Sequence, residues 1–154
     1  MNANESRTGE LLLKEEVYAV VGCAMEVLNE LGGGLREKTY ERAMLRELEL
    51  REIFTEQQRE FPVFYKGLQI DTYIPDLIAF ETLLIEIKTI EQITDREVGQ
   101  VINYLKVSGL SVGIILNFKH PRLEWQRIVK QTPGASKQGS IRHFPDPELK
   151  KHSR

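Results

Sequence analysis

Between Ile85 and Ile90 two opposite charges interrupt an apolar run, Ile85-Glu86-Ile87-Lys88-Thr89-Ile90. With Leu83 and Leu84 in front of it, this segment reads as a strand covered on both faces, where a charge is costly to bury. Strand side chains alternate, so Glu86 and Lys88 point one way while Ile85 and Ile87 point the other. A buried carboxylate needs an ion, a strong donor or a proton. Lys88 alone can meet that need as an internal ion pair, although the attraction in such pairs seldom offsets their desolvation.

Asp76 sharpens the constraint. Leu68 to Phe80 and Leu83 to Ile90 both read as strands, joined by a very short connection around Glu81. If Phe80-Glu81-Thr82 is a three-residue hairpin loop, Ala79 faces Leu83 and Asp76 falls opposite Glu86. Opposed residues on one face have Cβ atoms about 4.5–5.5 Å apart, so two carboxylates there repel unless something positive lies between them. Lys88 supplies one positive charge; a hard divalent cation suits carboxylate oxygens better. The expectation depends on register, because a slip of one residue, or a bulge near Pro75, turns Asp76 to the wrong face.

Mg²⁺, with Mn²⁺ able to substitute, accepts carboxylate and carbonyl oxygens and keeps several waters. Asp76 and Glu86 are the expected ligands, and the Ile87 backbone carbonyl can complete the protein's share. Hydrolysis of a phosphodiester by metal-activated water is chemistry such a site supports. Lys88 would orient or deprotonate that water, or neutralise charge on the phosphoryl oxygens. His120, His143 and His152 lack compact ligand spacing, so zinc is not expected. Gly32, Gly33 and Gly34 lack the Lys-Ser/Thr of a phosphate-binding loop and read as a helix reversal.

The rest of the chain supplies the frame. Val17, Val20, Val21, Ala24, Val27, Leu28 and Leu31 mark one stripe of a helix over 12–31. A second helix is expected over 35–50, with Glu37 and Glu41 one turn apart. Residues 55–67 read as an extended strand interrupted or edged by Pro62. Val98, Val101, Ile102 and Leu105 give a third helix over 95–107, opened by a Thr94/Glu97 capping box and ended at Gly109. Residues 111–118 and 123–129 are two further strands. Helices available to both faces of a sheet predict an α/β fold.

At 154 residues, 41% hydrophobic and 29% charged, the chain fits one folded domain over 1–130, and a basic extension over 131–154 with little apolar periodicity beyond Ile141 to Phe144. No apolar stretch approaches the roughly 20 residues of a membrane helix, and the polar Met1–Glu10 does not read as a signal peptide. The single Cys23 lies on the first apolar stripe and reads as a buried small hydrophobe. A reducing, cytoplasmic setting is the expectation. Net charge is −2, yet residues 119–154 hold nine Lys or Arg against three acids, so +6 there leaves −8 for the remainder. A basic end on an acidic body can bring a polyanion to a metal site, or act as a solubilising tail.

The chain resembles the restriction-endonuclease-like, or PD-(D/E)XK, nucleases. Their Pro-Asp and Asp/Glu-x-Lys pattern is matched by Pro75-Asp76 and Glu86-Ile87-Lys88. Within them it is similar to the small-protein family named after Gly-x-x-Glu-x-x-Tyr, here Gly34-Leu35-Arg36-Glu37-Lys38-Thr39-Tyr40. That similarity continues through Phe64-Tyr65-Lys66-Gly67, Gln100 with Asn103-Tyr104-Leu105, and residues 113–118. The resemblance implies a mixed β-sheet flanked by helices, Mg²⁺-dependent phosphodiester cleavage and a DNA or RNA substrate. It also implies that Glu37 reaches the metal through water and that Gln100 contacts the metal water or the phosphate. Tyr104 shares the Gln100 helix face; with Arg122, Arg127 and Lys130 it is a candidate nucleic-acid contact. Tyr40 reads as a packing residue, and Trp125 as strand packing in preference to base stacking. The alternative function keeps the fold but uses the cluster for non-catalytic nucleic-acid binding or structure. A homodimer is a further arrangement the sequence leaves open.

Overall fold

The computed structural model describes residues 12–130. The expected basic extension with its Ile141 to Phe144 segment, and the N-terminal leader reading, fall outside those residues. Helix α1 spans Lys14–Leu31 and α2 spans Glu37–Leu50. Seven strands and one more helix follow: β1 (Thr55–Gln57), β2 (Phe61–Tyr65), β3 (Leu68–Tyr73), β4 (Leu77–Ala79), β5 (Leu83–Lys88), α3 (Asp95–Ser108), β6 (Val112–Asn117) and β7 (Glu124–Val129). β1, β4, β5, β6 and β7 form one sheet in that order, while β2 and β3 form a separate two-stranded sheet. The main sheet is mixed: β5 runs parallel to β6, and every other neighbouring pair is antiparallel.

The charged strand β5 takes the central place its apolar residues predict. Ile85 and Ile87 pack with Val20, Ala24, Tyr40 and Met44 of α1 and α2 on one face. Leu84 packs with Val101 and Leu105 of α3 on the other. Each layer buries a helix stripe whose spacing is readable in the sequence. Cys23 is fully buried, as its position on the stripe implies.

Two expected strands are each divided. The segment over 55–67 becomes β1 in the main sheet and β2 in the small one, and Leu68 to Phe80 becomes β3 and β4. Pro75 lies at the second division and has no N–H for a ladder, so β4 starts only at Leu77. α2 begins two residues later than expected because Arg36 keeps an extended backbone (φ −78°, ψ 158°) at the cap, shortly after the left-handed turn at Gly34 (φ 89°). The Gly34 N–H bonds the Phe118 carbonyl (3.0 Å). Neighbouring Gly33 leaves no room for a side chain: a Cβ there would stand 2.6 Å from the His120 carbonyl oxygen.

Tyr40 fastens this reversal to the core. Its ring stacks on Phe118 (centroids 4.5 Å apart). Its hydroxyl donates to the Gly32 carbonyl (2.5 Å) and accepts from Leu35 N (3.0 Å). Tyr40→Phe would keep the stack and leave that carbonyl and N–H without the hydroxyl. We expect it to lower unfolding free energy by about 1–3 kcal/mol; urea titration giving no loss would contradict this account of the loop.

Candidate metal centre

The β4–β5 hairpin sets the centre. Phe80 and Glu81 take left-handed φ values of 59° and 62°, and Thr82 N bonds the Ala79 carbonyl (3.1 Å), reversing the chain tightly. Ala79 pairs with Leu83, Ile78 with Leu84 and Leu77 with Ile85. Continuing this register by one residue places Asp76 opposite Glu86. Their contacts agree: Asp76 N donates to Glu86 Oε2 (3.0 Å), and Ile87 N donates to Asp76 Oδ2 (2.8 Å). Each carboxylate therefore uses one oxygen to hold the other's strand. Oδ1 of Asp76 and Oε1 of Glu86 receive no hydrogen bond from the described residues.

The Ile87 carbonyl joins them by strand logic. Lys88 O accepts from Phe118 N (2.8 Å), so the Lys88 backbone faces β6 and the Ile87 backbone faces the β4 side. One step further along the hairpin register, Ile87 stands opposite Pro75, which has no N–H to offer its carbonyl. Two carboxylates and one backbone carbonyl thus lie together at the end of β5. Among the described residues no group of three or more His, Cys, Asp and Glu side chains gathers as a metal site. An all-side-chain cage is therefore not what this centre offers; two carboxylates, a carbonyl and retained waters suit Mg²⁺.

Lys88 does not neutralise the pair by direct contact. Its ammonium donates to Gln100 Oε1 of α3 (3.2 Å), and among the described residues it makes no ion pair within 4 Å. The internal Glu86–Lys88 ion pair is thus not formed. Glu86 is 6% exposed, and burial followed by the nearby Asp76 charge pushes its carboxyl up to about 8. Burial, with Glu41 and Glu37 adding to it, lifts Asp76 to about 6 against the Ile87 N–H and Lys88. The chemistry is that of two acids held together and short of positive charge.

The flanking helices bring further groups. Glu37 opens α2, and its Oε2 accepts from Thr89 N (3.0 Å), one residue beyond Lys88. Tyr104 lies on α3 one turn after Gln100, its ring edge-on to Tyr73 (5.4 Å, 89°). Burial, then the charges of Glu86 and Asp76, push its hydroxyl up to about 12, so it stays protonated. The structure therefore brings Glu37, Asp76, Glu86, Ile87, Lys88, Gln100 and Tyr104 to one region. It does not bring Arg122, Arg127 or Lys130 there. Lys130 follows Val129, which pairs with Val112 at the far end of β6 from Asn117, the partner of Lys88. Arg127 bonds the Leu12 carbonyl, and Arg122 lines a shallow pocket with Met25, Leu28 and Leu123.

Two sets of supporting residues escape sequence reasoning. Glu41 is 4% exposed and accepts from Gln57 Nε2 (2.8 Å), Gln58 Nε2 (3.0 Å) and Lys38 Nζ (3.2 Å). Burial alone would raise its carboxyl, but these donors outweigh it and hold the group below its ordinary value. Gln58 N also bonds the Asp76 carbonyl (3.1 Å), linking Glu41 to the centre. The second set is Asn117 and Glu124. Asn117 clasps Ile90 N (3.0 Å) and Ile90 O (2.9 Å), and Glu124 accepts from Asn117 Nδ2 (2.8 Å) and Ile93 N (3.2 Å). They fix the loop from Lys88 to α3. The one-turn spacing of Glu37 and Glu41 is the available sequence signal for the first set.

The sequence profile of the PD-(D/E)XK nuclease superfamily matches residues 14–128. No curated protein sequence matches the chain. Among solved structures, that of SSO0001 aligns at 19% identity with a TM-score of 0.49, covering 97% of this chain and 69% of its own. The alkaline exonuclease LHK-Exo from Laribacter hongkongensis aligns at 15% identity with a TM-score of 0.41. That alignment covers 61% of this chain and 55% of the exonuclease, so the chain spans about half of it.

The raised carboxyls make the metal-free fold sensitive to pH. Above its ordinary value of 4.5 the unfolded chain releases the Glu86 proton, while the folded chain keeps it until about 8. Stability therefore falls as pH rises through that window. In EDTA, Glu86→Gln should be more stable than the parent at pH 8, by on the order of a few kcal/mol, and lose most of that advantage at pH 5. An equal effect at both pH values in denaturant titrations would contradict a buried Glu86 set against a like-charged Asp76.

Proposed function

The chain belongs to the PD-(D/E)XK nuclease superfamily, and from that premise we propose that it is a divalent-metal-dependent nuclease hydrolysing phosphodiester bonds in DNA or RNA. The observation that carries this reading is the opposition of half-buried Asp76 and buried Glu86, each with one oxygen that no described residue hydrogen-bonds and neither paired with Lys88. Asp76, Glu86 and the Ile87 carbonyl would hold Mg²⁺, or Mn²⁺ in its place. When bound, such an ion polarises a phosphoryl oxygen and makes water more acidic.

The chain's own groups do the remaining work. Lys88 is held by the Gln100 amide oxygen and not by a carboxylate. Its ammonium is thereby directed along the α3 face, able to steady charge on the phosphate or exchange a proton with the attacking water. Gln100 positions that ammonium and has its amide NH₂ left to donate to phosphate or water. Glu37 anchors the Thr89 backbone with one oxygen, and its other oxygen would be available to a water at the site. Tyr104, kept protonated, can donate to substrate.

Within the superfamily we assign the chain to the Gly-x-x-Glu-x-x-Tyr family. Each signature residue has a physical task that supports this: Gly34 makes the left-handed turn, Glu37 holds the strand end, and Tyr40 closes the loop between the helices.

Lys88→Ala should lower Mg²⁺-dependent cleavage by about 10²–10⁴-fold. Asp76→Asn and Glu86→Gln should abolish it, as should EDTA. The assay uses labelled single-stranded, duplex, nicked and flapped DNA and RNA, with Mg²⁺ or Mn²⁺. Product formation equal in parent and Lys88→Ala, or insensitive to EDTA, would sink the catalytic assignment and leave a binding protein with a nuclease fold.

A further inference from the structure

The centre works only if the Asp76 carboxylate stays opposite Glu86, and the strand ladder does little to keep it there. Pro75 before it has no N–H, and β4 starts only at Leu77. Two bonds anchor the Asp76 backbone. Its N–H donates to Glu86 Oε2 (3.0 Å), and its carbonyl accepts from Gln58 N (3.1 Å). The first ties Asp76 to the other carboxylate of the pair. Gln58 is the anchor that lies outside the pair.

Gln58 needs support of its own. It carries the β1–β4 register one residue past Gln57 and Leu77, yet its φ is 59°, in the left-handed region that residues with a side chain seldom adopt. Such a conformation persists where its surroundings hold it. The Gln58 side-chain amide donates to Glu41 Oε2 (3.0 Å), and that of Gln57 donates to the same oxygen (2.8 Å), although both glutamines are otherwise exposed. Glu41 itself is buried on α2 among Tyr40, Met44 and Leu48. An apolar residue there would avoid the desolvation that a carboxylate suffers. The carboxylate offsets it with three hydrogen bonds, two of them to the end of β1.

We propose that Glu41 is a positioning residue of the metal centre: it holds Gln58 so that the Gln58 N–H fixes the Asp76 carbonyl and keeps the Asp76 carboxylate opposite Glu86. The inference rests on the metal-centre reading above and adds a residue that acts on a ligand, not on the ion. Both Glu41 oxygens are already engaged, Oε2 by the two glutamines and Oε1 by Lys38 Nζ (3.2 Å). Asp76 and Glu86 each have one oxygen that no described residue hydrogen-bonds.

Topology gives the bracing its logic. β1 and β5 lie on either side of β4 and both run antiparallel to it, so their last residues, Gln57 and Lys88, stand at the edge of the sheet where β4 begins. Glu37 and Glu41, one turn apart on α2, hold those two ends. Glu37 bonds Thr89 N just past β5, and Glu41 bonds Gln57 and Gln58 at the end of β1. One helix turn thus braces both neighbours of the strand that follows Asp76.

Calorimetric titration of Mn²⁺ into the full chain at pH 8 tests the role. Glu41→Ala and Gln58→Ala should each weaken binding by about 10–100-fold. The double variant should lose no more than the more affected single, because all three break one line of contacts. The Glu41 charge also bears on Asp76, and Glu41→Gln separates that from positioning. Its amide oxygen can still accept from both glutamines, so it should keep most of the parent's affinity. Val112→Ala, a cavity at the opposite end of β5 and β6 from Lys88 and Asn117, should lower stability and bind Mn²⁺ as the parent does. Should Glu41→Ala unfold, Gln58→Ala and Glu41→Gln decide. Parent-like binding in Glu41→Ala or Gln58→Ala, or additive losses in the double variant, would overturn the proposal while the metal centre stands. So would equal losses in Glu41→Gln and Glu41→Ala, which would make charge the cause, or an equal loss in Val112→Ala, which would make stability the cause. A parent that binds no Mn²⁺ would overturn the metal-centre reading and this inference with it.

Discussion

The reciprocal clasp between Asp76 and Glu86 is the interaction on which the rest of the arrangement depends. Each side chain accepts a backbone N–H from the opposing segment, Glu86 from Asp76 N and Asp76 from Ile87 N. These bonds continue the hairpin past the point where Pro75 ends its ladder. They also fix two acids side by side in a place that strips them of water. A fold built for stability alone would put apolar residues there. Here the pair is retained, Glu86 buried and Asp76 half-buried, and the described residues around it hold its backbone in place while leaving its remaining oxygens without a hydrogen bond.

Everything around the clasp restrains a segment that carries one of the site's groups. Asn117 and Glu124 bind the loop after Lys88 through Ile90 and Ile93, which sets where α3 starts. The Thr94/Glu97 capping box then fixes that start, and six residues along from Thr94 stands Gln100, the partner of Lys88. On the other side, Tyr40 ties the glycine reversal to Phe118, so α2 presents Glu37 to Thr89 and Glu41 to Gln57 and Gln58. The conformational cost of ordering long polar side chains is thus met by hydrogen bonds across separate elements.

The parts legible in the sequence are those set by short-range rules. Strand alternation puts Glu86 and Lys88 on one face, and a three-residue loop sets the register that brings Asp76 opposite Glu86. The apolar spacing of α1, α2 and α3 marks the faces that sandwich the sheet. The division of Leu68 to Phe80 is not legible, because a proline shows that a ladder can stop without showing that the chain changes sheet. The role of Glu41 is illegible for another reason: its partners Gln57 and Gln58 are 16 and 17 residues away, and only the packed fold brings them together. Lys88 illustrates the same limit, since periodicity gives its face while contact with α3 gives its partner.

The most direct test of the account is calorimetric titration of Mg²⁺ and Mn²⁺ into the metal-free protein at pH 8, without nucleic acid. The account predicts saturable binding in the parent and in Lys88→Ala, lost in Asp76→Asn and in Glu86→Gln. Absence of binding in the parent, or binding undiminished in Asp76→Asn and Glu86→Gln, would contradict the claim that this carboxylate pair is a metal centre.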